Sequence, residues 1–194
     1  KGVGEYTVRV KGVAAHAELD PRKGHSAIVE LARQIAAISK FNDLHSGVTV
    51  NPEMIRGGTR TNVIAAEAVV EIDVRIQKAK QASGIERKIR ALRPYDKRCK
   101  LIIEESINRM PMERTTGMAD LYGKAKAIAG QVGWKLEEAA VGGGSDGNFT
   151  AGIGIPTLDG MGGVGEGAHA VHEHIVISEL PRRALLLAGM IENA

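Results

Sequence analysis

Residues 5–13, EYTVRVKGV, alternate apolar and polar side chains, the period of two that marks a half-buried strand. From His25 to Lys40 the period lengthens. Ile28, Leu31, Ile35 and Ile38 recur at three- and four-residue steps, which is one face of a helix. VTVNPEMI, 48–55, predicts a strand again, and its proline points to a sheet edge because proline has no N–H for a second ladder. Gly57 and Gly58 end it. NVIAAEAVVEIDVRI, 62–76, predicts a long strand, in two pieces or with a bulge. Lys78–Leu92 predicts an amphipathic helix despite Gly84, and KLIIEESI, 100–107, a further strand. The resulting order β-α-β-β-α-β is a ferredoxin-like layout with helices over one face of a sheet.

The texture changes after Pro111. Thr116–Val132 predicts a helix and KLEEAAV, 135–141, a short strand. GGGSDGNFT then reads as a Gly-rich turn with Asp146 capping a helix, and GIGIPTLDGMGG as a strand and loop. Ser178–Asn193 predicts a last helix with Ser178 as N-cap and Pro181 in its first turn. Strands and helices alternating around glycine-rich loops are the idiom of an α/β sheet whose loops carry chemistry. The change of texture predicts a domain boundary between Arg109 and Thr116, giving domains 1–112 and 113–194.

Composition narrows the function. The chain has 194 residues, 43% of them apolar, so a packed core is expected rather than disorder. Aromatic residues make up only 3%, too few for a stacking surface for single-stranded nucleic acid. The net charge of +3 is interleaved, and the densest basic run, RKIRALR at 87–93, reads as a solvated helix face, so no nucleic-acid partner is expected. The single cysteine, Cys99, excludes an internal disulfide framework and a Cys-based metal cluster. Lys97, Arg98 and Lys100 surround it and would lower a thiol pKa, but it reads better as an ordinary strand residue. No apolar run reaches eighteen residues and no signal peptide is evident, so neither membrane nor export is indicated and a cytoplasmic protein is expected. The chain begins at Lys1 without methionine and already in a strand, which reads as part of something longer.

Several polar residues are candidates for chemistry. VGGGSDGN, 141–148, lacks the lysine of a phosphate loop and the flanks of a nucleophile elbow. Its glycines let a ligand's backbone come close, or simply make a tight turn. GEGAHAVHEHIVI, 165–177, holds His169, His172 and His174 around Glu173. A metal site needs three or four ligands, and no further cluster in the chain completes one. His16 lies between a strand and a helix, where an imidazole can donate to a developing oxyanion or simply face solvent. Asn62 and Arg75 stand at opposite ends of one strand segment. An Asn amide and an Arg fork suit a carboxylate ligand, and structural roles suit them equally.

Taken together, three stretches resemble the dizinc metallopeptidase family of glutamate carboxypeptidase, aminoacylase, acetylornithine deacetylase and succinyl-diaminopimelate desuccinylase. They are GVAAHAELDPRKGHSAIVELA, GGTRTNVIAAEAVVEIDVR, and GGGSDGN…GIPTLDGMG…GAHAVHE. The resemblance implies a lid or dimerisation domain, followed by the last part of an α/β zinc-hydrolase catalytic domain whose N-terminal half is not in this chain. It implies that His169 is a zinc ligand, and that His16 reaches the partner's active site in a homodimer and stabilises the tetrahedral intermediate. It implies that Asn62 and Arg75 hold the substrate's carboxylate, while Gly143 and Gly144 lie along the substrate's backbone. Ser26 and Ala65 stand where the family usually has Asn and Pro. The family's H-x-D motif, bridging aspartate and Glu-Glu pair have no counterpart, so one zinc ligand of about five is present. The implied reaction is hydrolysis of the amide of an N-acylated or C-terminal amino acid, with this chain inactive on its own. A non-catalytic dimerisation module derived from that family is the alternative.

Overall fold

A computed structural model describes residues 1–193. They form two compact units. One is Lys1–Glu113 with Gly142–Gly144, and the other is Arg114–Val141 with Ser145 onward.

The first unit runs β1 (Gly2–Lys11), α1 (Ala27–Ile38), β2 (Thr49–Gly57), β3 (Glu67–Ile76), α2 (Ala82–Arg90) and β4 (Lys100–Arg109). The strands pair antiparallel in the order β2-β3-β1-β4, the ferredoxin-like arrangement. β2 is an edge, as Pro52 implied, and its register slips between Pro52 and Met54. The alternation seen in the sequence is the alternation of the two faces. Tyr6, Val8 and Val10 of β1 and Val70, Ile72, Val74 and Ile76 of β3 are buried beneath α1 and α2. On the opposite face, charges meet across strands: Arg9 pairs with Glu67 and Arg56 with Glu71. Such cross-strand pairs stabilise a sheet face left open to water.

Helix α1 is rotated relative to the expected stripe. Ser26 caps it, its hydroxyl accepting from the Val29 N–H at 3.3 Å. Its buried face is Ala27, Glu30, Leu31, Gln34 and Ile38, while Ile28 is 42% exposed. Two polar side chains therefore occupy the core-facing stripe. Glu30 accepts from the Tyr95 N–H at 3.0 Å, the Asp96 N–H at 2.9 Å and the Gln34 amide at 2.7 Å. Gln34 donates in turn to the Arg93 carbonyl at 2.9 Å. These bonds satisfy the backbone of residues 93–96, which lies outside any helix or strand ladder. Residues 62–66, expected at the start of a long strand, instead form a loop before β3.

Cys99 stands just before β4, and it is buried. Burial pushes its thiol pKa up, and the carboxylates of Asp96 and Glu30 act in the same direction. The basic neighbours do not make it a reactive thiolate.

The second unit comprises α3 (Thr116–Gln131), α4 (Gly147–Gly152), the two-residue strands β5 (Gly165–Glu166) and β6 (His174–Ile175), and α5 (Leu180–Glu192). Ala125, Ala129 and Leu186 make its small core, with Ile128, Trp134, Leu136 and Leu158 packed around them. Residues 135–141, and the strand expected within GIGIPTLDGMGG at 152–163, carry no ladder among the described residues. A short strand without a neighbour has nothing to pair its backbone with, so its apolar pattern alone does not make it a strand. Asp146 takes the N-cap position of α4, but its side chain makes no capping hydrogen bond to the helix. The last helix begins later than its sequence suggested. A single 3₁₀ turn spans Ile177–Glu179, so Glu179 rather than Ser178 precedes α5, with Pro181 in its first turn. No helix among the described residues is long and apolar enough to cross a membrane.

Candidate functional site

The structure sorts the candidate residues into three groups. The first is at the Glu67 end of β3. His16 sits in a loop whose ends, Val13 and His25, exchange both backbone hydrogen bonds at 2.9 Å. The loop is also tied to the segment before β3. The Ala17 N–H donates to the Asn62 carbonyl at 3.0 Å, the Ile64 N–H to the Ala15 carbonyl at 2.9 Å, and His16 bridges Val63. Backbone pairing thus makes His16 and Asn62 neighbours. The His16 ring is oriented locally, because Nδ1 accepts from the Glu18 N–H at 3.2 Å and the Leu19 N–H at 3.1 Å. A nitrogen accepting two N–H groups carries no proton, which leaves Nε2 as the ring's donor.

The second group lies at the other end of the same strand. Arg75 is held by Asp73, its own neighbour two positions back on the same face, through Nε at 2.8 Å and Nη2 at 2.7 Å. That fork raises the guanidinium pKa further. Gly144 lies here too. A Cβ placed on it would stand 2.5 Å from Val3 Cγ2 and 3.7 Å from Arg75 Nη1, so a larger residue would press on the strand end. Gly143 accepts through its carbonyl from the Lys1 amino group at 3.2 Å. Between Glu67 and Arg75 run eight residue steps of antiparallel strand, roughly 27 Å. One chain therefore does not bring Arg75 to the His16–Asn62 group.

The third group is the β5–β6 hairpin of the second unit. His169 is exposed at its tip with φ of 68°, a left-handed conformation uncommon for a residue with a side chain. Its N–H donates to a Glu173 carboxylate oxygen at 3.2 Å, which explains the four-residue spacing as a loop bond. His174 bonds the His172 carbonyl through Nδ1 at 3.0 Å, and His172 lies outside the strand, so the two do not share one strand face. No three His, Cys, Asp or Glu side chains among the described residues lie together as a metal site. His169 offers one exposed imidazole, and the described residues do not by themselves fit a metal ion.

The residues missed from the sequence are His25 and Asp96. The His25 residue is 7% exposed, and its Nδ1–H donates to Asp96 Oδ2 at 2.6 Å. The Asp96 carboxyl is held below the usual carboxylate range, first by the Arg98 N–H and then by His25. A group depressed in the folded state contributes stability at higher pH that is lost as pH falls through its folded pKa. Wild-type protein should therefore lose stability on acidification below about pH 4, near the unfolded carboxylate value. Asp96→Asn should show a flatter curve over that window, and the two curves should converge at its acid end. Parallel curves in acid-dependent urea unfolding would contradict the assignment. No neighbour of His25 in sequence announces its partner, since Asp96 is 71 residues away.

A four-stranded antiparallel sheet covered by two helices, with a histidine carried on a loop at one end, makes a small ferredoxin-like α/β domain. Residues 1–95 match the peptidase dimerisation domain family. The chain carries the M20 peptidase dimerisation domain and is related to the peptidases and amidohydrolases of that family. Carboxypeptidase G2 of Pseudomonas sp. is 26% identical over 98% of this chain and 47% of its own length. A succinyl-diaminopimelate desuccinylase of Paracidovorax citrulli is 28% identical over 91% of this chain and 46% of its own. Among solved structures, aminopeptidase PepT of Bacillus cereus superposes with a TM-score of 0.73 at 26% identity, covering 98% of this chain and 51% of that one. The chain spans about half the length of the curated relatives it matches.

Proposed function

We propose that this chain supplies the lid and the C-terminal part of the catalytic domain, residues 1–112 and 113–194, of a cytoplasmic zinc-dependent amidohydrolase. Its substrate is an N-acylated or C-terminal amino acid. The observation that carries this reading is the His16 ring. Its Nδ1 is occupied by two backbone N–H groups, which leaves Nε2–H as the ring's donor to an oxyanion, in a loop whose backbone pairs with Asn62. Asn62 and Arg75 bind the substrate's free carboxylate, and the backbone at Gly143 and Gly144 lets the substrate's chain lie close.

The separation along β3 gives this reading its quaternary form. His16 and Asn62 of one protomer act with Arg75, Gly143 and Gly144 of the other, so the working unit is a homodimer. Edge strand β2 carries exposed Met54 and Ile55, 52% and 59% exposed, apolar surface of the kind a self-pairing interface covers. His169 supplies one ligand to zinc, with the others contributed by residues outside this chain. In the enzyme assembled at the full length of its relatives, His169→Ala should lower bound zinc below the wild-type stoichiometry. Metal analysis after gel filtration checks it, and unchanged zinc would remove His169 from the ligand set.

The comparison favours the enzyme over a dimerisation module alone, because similarity extends through the Gly-rich and His-containing segments beyond residue 95. Restoring the relatives' full length should yield amidase activity abolished by chelation. A well-folded, metal-loaded dimer without activity on any N-acyl amino acid or peptide would leave the module as the better reading.

A further inference from the structure

Three polar side chains are buried in the first unit: His25, Glu30 and Gln34. All three reach one segment. Gln34 holds the Arg93 carbonyl, Glu30 holds the Tyr95 and Asp96 N–H groups, and His25 holds the Asp96 carboxylate. Asp96 is fixed further by the Arg98 N–H, which donates to Oδ1 at 3.0 Å. Burying polar groups costs stability unless each is satisfied, and an apolar contact would cement a loop to a helix more simply. Every bond of this network except at Gln34 Oε1, which is buried without a partner, converges on the one segment, and what directional bonds add over apolar contact is a single geometry.

That geometry is passed to His16. His25 is the last residue of the loop that carries His16, and the Val13–His25 backbone pair closes that loop. Gly12 packs its α-carbon against the His25 carbonyl, where a Cβ would overlap it. The base of the loop is thus clamped between the end of β1 and Asp96. We infer that Asp96 is a positioning residue, acting through His25 to hold the loop that aims His16. The two histidines are consequently kept in opposite protonation patterns. His25 carries a proton on Nδ1 to meet the carboxylate, and His16 leaves Nδ1 bare to accept from Glu18 and Leu19. Only the use made of His16 in chemistry rests on the function proposed above.

The test is histidine ¹⁵N spectroscopy with amide exchange on this 194-residue chain. Wild type should show His16 with an unprotonated Nδ1, and His25 with a protonated one. Asp96→Ala should give mixed tautomers at His16 and speed exchange of the Glu18 and Leu19 amides about tenfold, the size expected for losing one restraint on a local opening. Asp96→Asn, which still accepts through Oδ1 and can meet the other His25 tautomer, should keep the wild-type His16 pattern. A purely structural role predicts a different result: Asp96→Ala loosens residues 93–98 while His16, Glu18 and Leu19 keep their wild-type signals, and that would overturn the inference. If Asp96→Ala does not fold, His25→Asn decides on the same readout. In the full-length enzyme the same variant should lower kcat with little change in KM. If the spectra shift as stated but His16→Ala leaves turnover unchanged, the role of His16 fails while the latch stands.

Discussion

His16→Ala, in the enzyme assembled at its relatives' full length, is expected to lower kcat by about 10²–10³-fold, the usual loss for one oxyanion donor. The fall belongs mainly in kcat because the donor meets charge that exists only as the tetrahedral intermediate forms. Folding should be untouched, since the ring is half-exposed and its bonds are to its own loop. His16→Gln should recover part of the loss, as its amide can still donate. Steady-state kinetics alongside circular dichroism separates the effects. A His16→Ala enzyme within about threefold of wild type would contradict the assignment, because that loss is far below the 10²-fold floor for such a donor.

Glu30→Ala should destabilise the chain by about 3 kcal/mol, the range for stranding buried hydrogen-bonding groups. The change leaves the Tyr95 and Asp96 N–H groups and the Gln34 amide without their acceptor. Glu30→Gln should cost less, because one oxygen still accepts, but its amide faces donors. Urea unfolding of the chain reads both. A loss under about 1 kcal/mol for Glu30→Ala would mean that water takes over those bonds.

Much of the first unit was legible because a sheet with one buried face writes its register into the chain. In β1 and β3 every second residue is buried, and that is the alternation read from EYTVRV and EAVVEIDVRI. Helix α1 was legible in extent but not in facing. Apolar spacing alone selected Ile28, whereas the buried stripe runs through Glu30 and Gln34, because loop 93–98 supplies their partners. A polar residue in the core is visible to the sequence only if its partner is, and Asp96 and Tyr95 lie more than sixty positions away. The second unit was less legible. Segment 135–141 has a strand's composition, but composition specifies no ladder without a neighbouring strand.

The candidate site shows the same limit. His16, Asn62 and Arg75 could each be picked out by type and spacing. Their grouping could not, because it depends on which end of β3 each residue occupies. Backbone pairing places His16 beside Asn62, and the length of β3 keeps Arg75 away. The positive φ and loop bond of His169 likewise follow from the hairpin tip, not from the H-x-x-x-E spacing.

The separation along β3 leads to the central claim, that one site is built from two protomers. Two full-length variants, His16→Ala and Arg75→Ala, should each be nearly inactive alone. Unfolded together in equal amounts and refolded, half the dimers should pair unlike chains, each with one intact site, so activity should recover to about a quarter of wild type. Recovery of that size on mixing, measured at fixed total protein, is the result this account predicts. Mixed dimers confirmed by mass yet no more active than the parents would show that His16 and Arg75 serve the same protomer's site, and would contradict it.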